Sequence, residues 1–373
     1  MPQLPLVDHH VHGVVSADLD RNEIDAMLSE AASASPAGTT AFDTQLGFAV
    51  RRWCAPVLGL EPHALAEVYV RRRHELGGTE VCRRFLTAAQ VDAWLVDTGY
   101  ESNAVTPPFE LAQLSGAPAG EVTRLEPLAE RLARAGGTAS GFGDDLSTAI
   151  HEAAAKSVGF KSIAAYRGGL AFDPGPPSAA EVQAAADRWL REIGRGAPTR
   201  LEERVLIRHG IWAALDTGKP LQLHTGYGDA DSRLHLADPS LLHDFLAVSE
   251  TTGTPIMLLH CYPYHRQAGA LANLFPHVYM DVGEALNHVG ARSTAILAEA
   301  LELTPFHKML YSSDAFGLPE LHYLGAVCFR RDIRKVTSAF VADGAWSAAD
   351  AARVSEMIGS ANARRVYRLD AGA

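Results

Sequence analysis

Near its N-terminus the chain reads VDHHVHG, in which Asp8, His10 and His12 alternate with Val7, His9 and Val11. Side chains along an extended strand repeat every second residue, so this spacing predicts all three on one face. Two imidazoles on one face can chelate a single cation, and imidazole is also the side chain that exchanges protons near neutral pH. Alone, HxH is a weak signal, because a pair of hydrogen-bonded core histidines has the same spacing. Three later segments add to it: Leu221-Gln222-Leu223 ends in His224, Ile256 to Leu259 ends in His260, and Met309 to Ser313 ends in Asp314.

The elements that must position these residues are legible as short apolar runs. Eight of them read as buried strands: 4–12, 93–97, 122–126, 158–166, 221–224, 256–260, 278–281 and 309–314. Between them lie stretches with apolar residues three and four apart, at 21–31, 128–135, 179–193, 240–252 and 293–303, which predict amphipathic helices. Alternating strands and helices argue for a parallel sheet, and eight strands argue for closure into a (β/α)₈ TIM barrel spanning residues 1–373 as one domain. Residues 13–91 interrupt the alternation and predict a helical insertion (44–58, 62–75 and 79–86) forming a lid over the barrel mouth. Ser178 and Glu181 are spaced as a capping box, and Ser347 to Ile358 reads as a capped C-terminal helix.

In such a barrel the strands' C-terminal ends form the active site. His10, His12, His224, His260 and Asp314 would then meet at one mouth, where buried polar groups are costly unless a divalent cation satisfies them. Imidazole and carboxylate ligands favour Zn²⁺, with iron, manganese and nickel as alternatives. A bound metal lowers the pKa of its water from 15.7 toward roughly 7, which makes it a nucleophile at neutral pH.

Composition limits the other classes. The 373 residues are 47% hydrophobic and 21% charged, as expected for a globular protein, and carry a net charge of -11. So acidic a chain is a poor general binder of phosphate backbones, so no nucleic-acid partner is expected. Four scattered cysteines form no CxxC pair, so neither a zinc ribbon nor a disulfide framework is indicated, and a reducing compartment suits them. No apolar stretch approaches the roughly 18 residues of a membrane span, and the N-terminus lacks the pattern of a secretory signal; a cytoplasmic location without membrane partners is expected.

The segments DHHVH, GFKSIAAYR, HTGYGD, LHCYP and SSD resemble the amidohydrolase superfamily of metal-dependent barrel hydrolases, over nearly the whole chain. Within it they are most similar to the branch that also forms the N-terminal half of nodulin-like glutamine synthetase fusions. The resemblance implies that His10, His12, His224, His260 and Asp314 are metal-site residues and that Lys161 stands where many members carry a carboxylated lysine bridging two metals. Lys161 does not end its apolar run, so a buried ion-pair partner is the other reading. With the bridge, His10, His12 and Asp314 would hold one metal and His224 and His260 a second. Without it, His10, His12, His224 and Asp314 would hold one, leaving His260 to polarise the substrate. Asp314 is expected to take the water's proton and pass it to the leaving amine.

The substrate is expected to be a small molecule carrying a carboxylate. Tyr166 and Arg167 finish the fourth run, and Arg167 suits carboxylate capture or a pairing with Glu126 or Asp97. Asp229 and Asp231 could hold a substrate ammonium or cap their own loop. Cys261 and Tyr262 are placed to line the pocket, with a buried core thiol as the other reading of Cys261, and Arg71 to Arg73 read as a solvated helix face. The expected reaction is hydrolysis of a C–N amide bond, with a γ-glutamyl amide implied by the fusion-protein branch. Non-hydrolytic decarboxylation on the same scaffold, or a metal-binding barrel without turnover, are the alternatives. A homo-oligomer is compatible with the sequence.

Overall fold

The structure, a computed structural model, describes residues 3–99 and 105–370. The chain forms two compact units, one of residues 1–120, 228–231 and 281–373, the other of residues 121–227 and 232–280.

In the first unit β1 (Val7–Val11) pairs in parallel with β2 (Ala93–Asp97), and both strands are buried along their whole length. The register runs Asp8 to Trp94 and then Val11 to Val96, so β1 carries one extra residue between them. Such a bulge breaks strict alternation. Asp8, which alternation would align with His10 and His12, instead accepts a hydrogen bond from the Ser313 amide at 3.0 Å. The run 309–314, expected as an eighth strand, forms no regular ladder among the described residues. It lies along β1 through isolated bonds, His9 N to Tyr311 O at 3.2 Å and Asp314 N to His10 O at 3.1 Å. Asp314 has a left-handed backbone (φ 50°), a conformation that ends an extended run.

The insertion is helical as expected, with helices Arg21–Met27, Gln45–Ala49, Ala66–Leu76 and Gly78–Ala89. One reading fails there: Arg73 belongs to no solvated face. It is buried and paired with Glu320 at 2.9 Å, and Tyr69, one turn earlier, donates to the same oxygen at 3.0 Å. Glu320 lies in the long helix Pro319–Ala342, so this buried cluster ties the insertion to the C-terminal region. Ser347 caps the helix Ala348–Glu356, whose Val354 is buried together with the following Ile358.

In the second unit β3 (Ala119–Arg124), β4 (Gly159–Ser162), β5 (Leu221–Thr225), β6 (Ile256–His260) and β7 (Val278–Met280) pair in parallel in chain order. Phe160, Leu221, Leu223, Ile256, Leu258 and Val278 are fully buried, which is why these strands read as unbroken apolar runs. The helices Leu125–Arg134, Phe142–Ala154, Ala179–Gly194 and Arg204–Asp216 alternate with them, and the Ser178–Glu181 capping box is formed. β4 is shorter than the apolar run that announces it. Tyr166 and Arg167 therefore do not finish a strand; they sit on a 3₁₀ turn, Ala164–Arg167. Glu126, expected at the end of β3, is in the first turn of the helix Leu125–Arg134. No helix among the described residues is long and apolar enough to cross a membrane.

Candidate metal centre

The first unit brings three of the expected ligands together. His10 Nε2 is 3.0 Å and His12 Nε2 3.7 Å from Asp314 Oδ1, although Asp314 lies far along the chain. A ligand atom from each of the three falls within 4.8 Å of the others, as convergence on one cation requires. The donor set, two imidazoles and a carboxylate, is one that zinc and its neighbours accept. Two features aim it. His12 Nδ1 is 3.2 Å from the Asp97 carbonyl; donation to that oxygen fixes the tautomer that leaves Nε2 as the ligand atom. The left-handed backbone at Asp314 is the kind of strain that clusters at functional sites.

The same unit also buries the acids Asp8 and Asp281. Asp8 is pushed up to about 8 by burial, against the opposing Ser313 hydrogen bonds. Burial pushes Asp281 up as well, but the hydrogen bond and charge of His9, at 3.1 Å, together with hydrogen bonds from the Gly283 amide and Ser312, hold the carboxyl low. His9 has its other nitrogen 3.1 Å from the Tyr367 hydroxyl.

A second constellation in this unit was not foreseen. Glu30, Glu284 and His288 also present ligand atoms within 4.8 Å of one another, with His288 Nε2 3.5 Å from Glu30 Oε1. Glu30 is pushed up to about 8 by burial, by the charges of Asp229 and Asp314, and by a side-chain hydrogen bond with Asp229. Asp229 thus engages a neighbouring carboxyl, and Asp231 is exposed. The sequence signal that would have found this group is the i, i+4 spacing of Glu284 and His288 on the helix Gly283–His288.

The second unit holds the remaining candidates. His224 is on β5 and His260 on β6, both buried, with ring centroids 4.7 Å apart. His260 and Cys261 both have left-handed backbones (φ 66° and 62°), so the chain turns sharply where β6 ends. Gly226, two residues after His224, is also left-handed, and a Cβ there would meet the Tyr262 carbonyl oxygen at 2.3 Å. Only glycine lets the loops after β5 and β6 approach so closely. The Tyr166 ring packs 4.3 Å from that of His224, with its hydroxyl 3.2 Å from Nδ1. Lys161 is buried on β4, in register with Arg124 and Gln222. Cys261 is buried, within hydrogen-bond reach of Thr225 Oγ1 and the Leu258 carbonyl, as the core reading expects.

Arg167 is paired with neither Glu126 nor Asp97. Its Nη2 lies 3.9 Å from Glu130 Oε1, while Nε and Nη1 are buried without a hydrogen-bond partner.

Residues 110–369 match the amidohydrolase family model. The chain belongs to the amidohydrolase family. It is 32% identical over 244 residues to Protein fluG of Emericella nidulans, a match covering 61% of this chain and 28% of that protein, so the chain spans less than a third of that relative's length. A Lactobacillus casei structure assigned as a candidate metal-dependent hydrolase superposes with a TM-score of 0.86 at 27% identity, covering 99% of this chain and 96% of its own. A uronate isomerase from Bacillus halodurans gives a TM-score of 0.66 at 14% identity, covering 98% and 94%, and at that distance shows the fold alone. Membership places the chain in a superfamily of metal-dependent hydrolases, and the His10, His12 and Asp314 cluster is where its own residues fit a divalent cation.

Proposed function

We propose that the protein hydrolyses a C–N amide bond in a small carboxylate-bearing compound, most specifically a γ-glutamyl amide, within a closed eight-stranded barrel and with Zn²⁺ as its metal. The convergence of His10, His12 and Asp314 carries the reading. A divalent cation held there would supply a water acidified enough to act as a nucleophile at neutral pH. His10 and His12 act as ligands. Asp314 accepts the proton of the attacking water and delivers it to the departing nitrogen, turning a poor amide leaving group into an amine. His224, His260 and Lys161 keep the alternatives expected from the sequence: with a Lys161 bridge, His224 and His260 would hold a second metal, and without it His260 would donate to the oxygen that becomes anionic. Arg167, with unpartnered buried donors, binds the substrate carboxylate. The γ-glutamyl assignment is supported by the similarity to glutamine synthetase fusions.

The test is product analysis in ¹⁸O-labelled water with a panel of γ-glutamyl amides. Amine release with one labelled oxygen in the acid product supports hydrolysis, and Asp314→Asn should abolish it. Carbon dioxide release without label would establish the decarboxylase reading instead. A wild-type protein that binds metal and turns over nothing in the panel would favour a barrel without this activity.

A further inference from the structure

Two acidic side chains on the helix Leu125–Arg134, one turn apart, reach opposite ends of the turn that follows β4. Glu126 Oε1 accepts from Ser162 Oγ at 2.7 Å and from the Ile163 amide at 3.0 Å. Ser162 Oγ in turn accepts from the Ala164 amide at 3.2 Å, so the chain leaves β4 on a fixed course into the Ala164–Arg167 turn. At the far end Glu130 Oε1 accepts from the Leu201 amide at 2.9 Å and faces Arg167 Nη2 at 3.9 Å. Glu126 is 1% and Glu130 9% exposed. A buried carboxylate is unfavourable unless it is hydrogen-bonded or paired, and Glu130 Oε2 also faces Arg134 Nη2 at 3.5 Å, which leaves Oε1 for the Leu201 amide and Arg167.

We infer that Glu126 and Glu130 are positioning residues which together hold the Ile163–Arg167 turn, seating Tyr166 on His224 and presenting Arg167 to an anionic substrate group. The division of labour follows from the distances. Glu126 acts through hydrogen bonds on the backbone. Glu130, beyond hydrogen-bond range of Arg167, holds the guanidinium by charge without occupying its donors. Arg167 Nε and Nη1 are buried without a hydrogen-bond partner, so their donors are left for a substrate carboxylate that the turn admits. The inference rests on the carboxylate-bearing substrate proposed above, and it locates that carboxylate at Arg167.

The test is glutarate binding to the metal-loaded full chain, measured by calorimetry, alongside metal content. Removing a negative charge near an anion site by Glu130→Gln should tighten glutarate binding if Glu130 acts only through its field. If Glu130 positions Arg167, binding weakens by at least about tenfold, the scale of one charge-assisted hydrogen bond, and metal content is unchanged. Arg167→Met should lose as much, and the double variant no more than either alone. Glu126→Gln keeps an acceptor for Ser162 and Ile163 and should retain binding where Glu126→Leu loses it. Unchanged or tighter binding in Glu130→Gln, or full additivity with Arg167→Met, overturns the inference. So does a wild type that does not bind glutarate, and amide turnover then still decides the proposed reaction separately.

Discussion

The Tyr166 hydroxyl lies 3.2 Å from Nδ1 of His224, and the two rings pack with centroids 4.3 Å apart. The sequence places Tyr166 among the substrate-binding residues; its position makes it an orienting partner of a candidate metal ligand. For His224 to offer Nε2 to a cation, Nδ1 must carry the proton and donate it to the tyrosine oxygen, since an imidazole that binds metal through one nitrogen holds its proton on the other. Tyr166→Phe removes the acceptor and leaves the ring packing. Metal affinity should fall roughly 10- to 100-fold, read by chelator competition. Unaltered affinity would return Tyr166 to a substrate-facing role.

Stability should be sensitive to breaking the Arg73–Glu320 pair. Both side chains are 2% exposed and 2.9 Å apart, and Tyr69 completes the group. Removing one partner leaves a buried charge uncompensated, which typically costs about 3–5 kcal/mol. Arg73→Met and Glu320→Leu should each lose stability on that scale in urea denaturation, and the double variant should recover most of it, because an apolar pair needs no solvation. Two additive losses would show that packing dominates at this site.

His322 should give the protein's stability a pH dependence. Burial lowers its pKa from the usual 6.5 to about 4, against hydrogen bonds to the carbonyls of His12 and Leu318. Because the folded pKa lies below the unfolded one, the unfolded chain binds the extra proton first as the pH drops. The contribution of the neutral imidazole is present above 6.5 and is lost progressively between 6.5 and about 4. His322→Gln should flatten that part of the stability curve. His288, also lowered to about 4 by burial, should leave a residual slope that His288→Gln removes. Identical curves for wild type and both variants would contradict this assignment.

How far the sequence discloses the site depends on what each residue's neighbours do. β2 and β6 coincide with their apolar runs, Ala93–Asp97 and Ile256–His260, because both strands are buried along their full length. His224 and His260 stand out because each ends such a run. Asp314 stands out for the same reason, yet the run before it makes only isolated bonds beside β1, and no strand pattern in the sequence distinguishes a laddered run from one that merely lies alongside. Arg73 is hidden by Arg71 and Arg72, which are solvated to differing degrees, and only its spacing from Tyr69 marks the inward face. Glu30 follows a short helix and ends no apolar run, so its approach to His288 is a purely tertiary fact.

Lys161 tests how many metals the protein holds. It is 2% exposed on β4, beside Arg124 and Gln222 in the strand register. An ammonium at such depth is costly, and carboxylation turns the cation into an anionic ligand able to bridge two metals. If this occurs, the intact mass of the metal-loaded protein should exceed the sequence mass by one carbon dioxide. Lys161→Met should remove that increment and lower the bound metal from two ions to one, leaving the His10, His12 and Asp314 site occupied. An unmodified mass with one metal in both proteins would make Lys161 an ion-pairing residue of the core, and the proposed hydrolysis would then proceed at a mononuclear centre.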